Sequence, residues 1–74
     1  MFTTTITKIQ AAQESIRNFE DSKFYARRYN ELTEAERNEP SIGGRTRGQY
    51  LLDNFNRCME YVRYYDAIVN AKED

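Results

Sequence analysis

Residues 50–71 read YLLDNFNRCMEYVRYYDAIVNA, an uninterrupted stretch with no Gly and no Pro. Leu51, Leu52, Phe55, Cys58, Met59, Val62, Tyr65 and Val69 recur in it at steps of three and four. At 100° per residue those positions form one broad stripe, so the stretch predicts a long amphipathic helix. Its start is marked by Thr46-Arg47-Gly48-Gln49, where Thr and Gln stand three apart as in a capping box. Working back from Thr46, the only Pro (Pro40) and all three Gly (Gly43, Gly44, Gly48) fall between residues 38 and 48, which predicts a loop over 39–46. Thr33 and Glu36 have the same box spacing, and Pro40 limits the helix they start to little more than one turn, near 34–38.

Before that, Ile9, Ala12, Ile16, Phe19 and Ala26 lie at helical steps and predict a second amphipathic helix over about 6–30, starting at Thr5 or Thr7. Asp21-Ser22 offers a fresh cap, which predicts a kink there. No period-two alternation bounded by turns occurs, so no strand is expected. The expected fold is therefore a single all-α domain over 1–74. Two long antiparallel helices are joined by a short helix and a Gly-rich loop, and oligomerisation completes the fold.

The last expectation comes from size. Leu, Ile, Val and Phe together number 14 of 74 residues, too few for a generous core. A lone two-helix hairpin leaves much of both apolar stripes in water. Covering them takes a second copy or another protein, and part of the stripe from Leu52 to Val69 is the expected contact. A single Cys excludes an internal disulfide, and the absence of His leaves little to bind zinc. No cofactor and no metal are expected. No apolar run approaches membrane-spanning length and no signal-peptide pattern opens the chain, so a soluble cytoplasmic protein without membrane contact is expected, in the host cytoplasm if the chain is viral.

Catalysis is not expected either. There is no His to act as a base near neutral pH, no nucleophile elbow, and no carboxylate pair set in apolar sequence. Cys58 falls in the apolar stripe and reads as a packed thiol. The net charge of −1, with 12 acids against 11 bases, lacks the basic footprint of a general DNA or RNA binder.

Two features remain. Gly43, Gly44, Arg45, Thr46 and Arg47 place two guanidinium groups and no acid at a predicted helix N-terminus, a setting suited to a phosphate or carboxylate. The alternative is that Gly43-Gly44 only turns the chain and both Arg point to water. The second feature is a set of Tyr and Arg residues away from the main stripes: Tyr25, Arg28 and Tyr29 on the first helix, and Tyr50, Arg57, Tyr61 and Tyr64, joined by Ile68, on the last. Such residues cover a thin core, form a protein interface, or stack a nucleobase.

Short, helical, Tyr-rich and without catalytic groups, the chain resembles the very small proteins that bacteriophages use against host defences. Its second half also resembles the helical-hairpin domain of phage cyclic-nucleotide sponges that counter CBASS signalling, through Pro40-Ser41, Arg45, Met59 and Ala67-Ile68. The spacing of eight from Met59 to Ala67 departs from that family's pattern. The resemblance implies a non-enzymatic protein that inhibits or adapts a host system by binding a host protein. Alternatively it implies an oligomeric sponge for a cyclic (di)nucleotide; a structural helical oligomer without a ligand is a third reading, independent of the resemblance.

Lys23 and Asp66 break the apolar stripes of their helices. In a hairpin whose facing residues add to roughly 77, Asp66 faces Ala11, some 18 Å from Lys23 along the axis at about 1.5 Å per residue. The two are expected to pair only across a two-fold axis, or else to reach water separately, the Lys stem snorkelling and Asp66 lying at the core's edge.

Overall fold

The computed structural model describes residues 6–71 and contains no strand among them. Helix α1 runs Lys8–Glu31, α2 is the single turn Glu34–Arg37, and α3 runs Arg47–Ala71, with a 3-10 turn at Ile42–Gly44 before it. Each α-helix starts at a Thr with a reciprocal capping box. The Thr7, Thr33 and Thr46 hydroxyls accept from the amides of Gln10, Glu36 and Gln49, whose side chains in turn accept from the Thr amides. Thr7 is thus the start of α1; Thr5 lies outside the described residues. The expected kink at Asp21-Ser22 is absent. Ser22 instead donates its hydroxyl to the Phe19 carbonyl at 2.6 Å and α1 continues, because a Ser inside a helix satisfies itself on the preceding turn.

The long helices are antiparallel. Tyr29 lies beside Gly48 at the closed end, and Ser15 donates to Asp66 Oδ1 at 2.5 Å towards the open end. Facing residues therefore add to between 77 and 81, and Asp66 meets Ser15 one turn from the expected Ala11. The seam follows a heptad on both sides. Residues 11, 15, 18, 22, 25 and 29 of α1 meet 48, 51, 55, 58, 62, 65 and 69 of α3, and every one of these is buried or half-buried. On α1 the seam is Ala, Ser, Asn, Ser, Tyr, Tyr; on α3 it is Gly, Leu, Phe, Cys, Val, Tyr, Val. Among the described residues, Ala11, Ser15, Ser22, Gly48 and Cys58 are the buried ones, all of them small. No buried side-chain polar atom among the described residues lacks a hydrogen-bond partner.

Gly48 is required by this close approach. A Cβ there would stand 3.1 Å from both the Arg37 carbonyl oxygen and Arg37 Cβ, and 3.3 Å from the Tyr29 ring. Arg37 locks the same corner, donating from Nε to the Tyr29 carbonyl at 3.1 Å and lying 4.2 Å over the Tyr29 ring. Gly43 and Gly44, at φ 70° and 74°, make the left-handed turn that lets Ser41 N–H reach the Arg45 carbonyl at 2.7 Å. The molecule measures 50 × 26 × 13 Å, one helix thick. Its radius of gyration of 15.7 Å exceeds the ~11 Å of a compact chain this long. It is a single layer, whereas an ordinary domain core lies between two.

Candidate functional site

Because the hairpin is one layer, each helix presents two flanks. On α1 one flank carries Ile9, Ala12, Ile16, Phe19, Lys23 and Ala26; on α3 the same flank carries Leu52, Met59 and Asp66 beside the seam and exposed Gln49, Asn56 and Arg63 further out. This assignment follows from the heptad, in which equivalent flanking positions of antiparallel helices share a side. The opposite flank carries Glu14, Arg17, Asp21, Phe24 and Arg28 from α1, and Tyr50, Asn54, Arg57, Tyr61, Tyr64 and Ile68 from α3. A groove of about 330 Å³ lined by Glu14, Arg17, Asn18, Asp21, Tyr61 and Tyr65 confirms which residues of the two helices share that second side.

The α1 half of the first flank is mostly apolar and uncovered. Ile9 is 70% exposed, Ile16 62% and Phe19 44%. The α1 stripe legible in the sequence is thus not the face α1 turns to α3; the small residues beside it are. Lys23 lies over the Phe19 ring at 4.7 Å with its ammonium 3.5 Å from Glu20, and Asp66 is held by Ser15. Both charges find partners within the chain, at its surface.

The second flank mixes aromatic and charged groups. Tyr61 and Tyr64 are about half exposed and pack on Tyr65, at ring-centroid distances of 6.5 and 5.1 Å. Arg28 and Arg57 are exposed on the same side, and Tyr50 is half-buried. Tyr25 and Tyr29, expected to belong with them, instead turn into the seam, Tyr25 edge-on to Phe24 and Tyr29 under Arg37. Glu14, Arg17, Asp21 and Phe24 were not singled out from the sequence. Their signal is their place at the two heptad positions flanking the seam on that side.

The Arg loop is engaged within the chain. Arg45 Nη1 donates to Asp53 Oδ2 at 2.7 Å and Arg47 Nη1 to Glu39 Oε1 at 3.4 Å. Of the first α3 amides, Arg47 N–H donates to the Glu39 carbonyl, Gln49 N–H to Thr46 Oγ1 and Tyr50 N–H to the Thr46 carbonyl. Gly43 and Gly44 supply the turn and Thr46 the cap. Beside them a cavity of about 220 Å³ is lined by Arg28, Leu32, Ser41, Arg47, Tyr50 and Leu51.

Cys58 sits in the seam, where desolvation, reinforced by the Asp21 charge and partly opposed by Arg57, raises its thiol pKa above the ordinary value. Among the described residues no cluster of His, Cys, Asp or Glu is arranged to hold a metal, and no helix is long and apolar enough to cross a membrane. No protein-family model matches the chain, and neither the curated proteins nor the solved structures include a significant match to it.

Proposed function

We propose that this chain is a non-enzymatic interaction protein that inhibits or adapts a host system by seating its Tyr–Arg flank on a host protein, in the manner of the small phage proteins it resembles. The supporting observation is the half-exposed Tyr61–Tyr64 pair, ranged with Arg57 and Arg28 along one side of a rigid hairpin. Tyr and Arg dominate binding hot spots because each brings a large contact area with a polar tip. The adjoining Glu14, Arg17 and Asp21 supply both signs of charge for a polar rim. A photo-crosslinking residue in place of Tyr61 or Tyr64, expressed in the native host, is expected to trap one host protein. The same group at Glu60, on the far side of α3, is expected to trap none. Labelling that is absent from the flank, or equal at Glu60, overturns the reading.

The cavity at the closed end favours a second reading, a sponge for a cyclic nucleotide. Arg28, Arg47 and the Ser41 hydroxyl suit a phosphate, and the Tyr50 ring suits a base. At about 220 Å³ the cavity falls below the ~300–1,000 Å³ usual for ligand pockets, so a whole dinucleotide needs a site shared between chains. Melting with cyclic dinucleotides decides it. A ligand at a hundred times its Kd stabilises by about 2.7 kcal/mol, and an unmoved Tm rules the sponge out.

A further inference from the structure

We propose that the apolar flank of α1 is covered by α1 of a second copy, antiparallel across a two-fold axis, so that the two hairpins form a four-helix dimer. This surface is separate from the Tyr–Arg flank, and the two proposals stand or fall independently.

The order of residues along that flank points to a second copy. Ile9, Ala12, Ile16, Phe19, Lys23 and Ala26 follow steps of three, four, three, four and three, the spacing a helix needs to receive a partner's side chains between its own. The series reads the same backwards, so α1 of a second copy running antiparallel meets it in register. Ile9 then lies opposite Ala26 of the second copy, Ala12 opposite Lys23, and Ile16 opposite Phe19, and symmetry repeats the three layers. Each Ala thus faces a long side chain, and the two largest apolar groups meet at the axis. A register one heptad away in either direction uses only four of the six positions. That self-complementarity is what an isologous contact requires, and nothing in it is asked of a foreign protein.

The charged position fits as well. Lys23 lays its stem over Phe19 and keeps its ammonium on Glu20, so its methylenes cover Ala12 of the second copy while the charge stays at the rim. In this arrangement Lys23 and Asp66 do not pair across the axis, because Asp66 is retained by Ser15 of its own chain. On the α3 side, Leu52 and half-buried Met59 extend the same face.

The areas agree. Ile9, Ile16, Phe19 and Leu52 expose on the order of 400 Å² of apolar surface, within the ~300–600 Å² of the largest patch on a monomer, a size that often marks an interaction site. It is also close to the apolar share of a contact burying ~800 Å² per partner. The dimer supplies the second layer that a hairpin one helix thick lacks.

The test is sedimentation equilibrium on the full chain from low to high micromolar concentration. The expected result is a dimer of 8.8 kDa chains whose Kd rises roughly 100-fold in Phe19→Asp but stays within a few-fold in Tyr61→Ala on the other flank. Should Phe19→Asp fail to fold, a second variant decides. In a Cys58→Ser background, Ile9→Cys with Ala26→Cys is expected to oxidise to a covalent dimer. Ile9→Cys with Arg28→Cys, whose sites lie on opposite flanks, is not. A fully helical monomer at every concentration overturns the proposal, as does a dimer indifferent to Phe19→Asp or one in which the Ile9/Ala26 pair does not cross-link. A monomer that still captures a host protein through Tyr61 refutes only the dimer.

Discussion

Helix α1 carries two seams of the same spacing and opposite character. The inner one, Ala11, Ser15, Asn18, Ser22, Tyr25 and Tyr29, is small or polar and holds α3. The outer one, Ile9, Ala12, Ile16, Phe19, Lys23 and Ala26, carries the helix's large aliphatic groups and holds nothing within the chain. Hydrophobicity alone therefore does not select the intramolecular face. Small residues let the two backbones approach closely, and the Leu, Phe and Val side chains of α3 then spread over them. That leaves the larger α1 side chains exposed, the surface on which the proposed second copy would dock.

Substitutions on the two seams are expected to differ in kind. Gly48→Val forces a branched side chain against Arg37 and Tyr29, and should destabilise by about 2–3 kcal/mol at every protein concentration. Ile16→Ser on the outer seam should cost stability only where dimer is populated. Urea melts at two protein concentrations separate them, and equal behaviour breaks the contrast between the seams.

Arg37→Ala, which removes the bond to the Tyr29 carbonyl and the stacking on its ring, is expected to cost about 1–2 kcal/mol. Arg37→Lys should recover only part of it, because a lysine lacks the planar guanidinium. Gly44→Ala meets open space but must hold φ near 74°, and should cost about 1 kcal/mol by the same melts.

The thiol tests the inner seam from another side. With its pKa raised by burial, Cys58 should alkylate much more slowly than a free thiol at pH 8, and reach the free-thiol rate in denaturant. Rapid labelling of the native protein contradicts a closed seam.

The smallest effect is at Glu36. Its carboxylate accepts the Thr33 amide at 2.8 Å, which holds its folded pKa below the ordinary value of about 4.5. The folded state thus binds the proton less readily than the unfolded chain. The stabilisation is fully present above pH 4.5 and is lost as pH falls through the lowered folded value. Glu36→Gln should flatten that acid limb and lower the melt slightly at neutral pH, where the charge on the capping acceptor is lost.

The helix pattern was legible because it rests on local signals: the Thr boxes, the Gly and Pro cluster, and the uninterrupted stretch 50–71. The antiparallel pairing followed from the short connection, and its register came within a turn. What the sequence reading misplaced was the side of α1 that meets α3, since Ala11, Ser15 and Ser22 give no hydrophobic signal and declare themselves only by heptad spacing. The Tyr–Arg group was visible as composition, yet Tyr25 and Tyr29 left it because one step along a helix turns a side chain by 100°. The anion setting at Arg45 and Arg47 looked free of acids because their partners lie outside the stretch 43–47, Glu39 at the start of the loop and Asp53 within α3.

The most direct test of the central claim, that a single-layer hairpin acquires its second layer from another copy, is the melting temperature as a function of protein concentration. The expected result is a Tm that rises steadily with concentration in the native chain and is flat in a folded Phe19→Asp variant. A cooperative, fully helical melt whose Tm does not move with concentration in the native chain would contradict it.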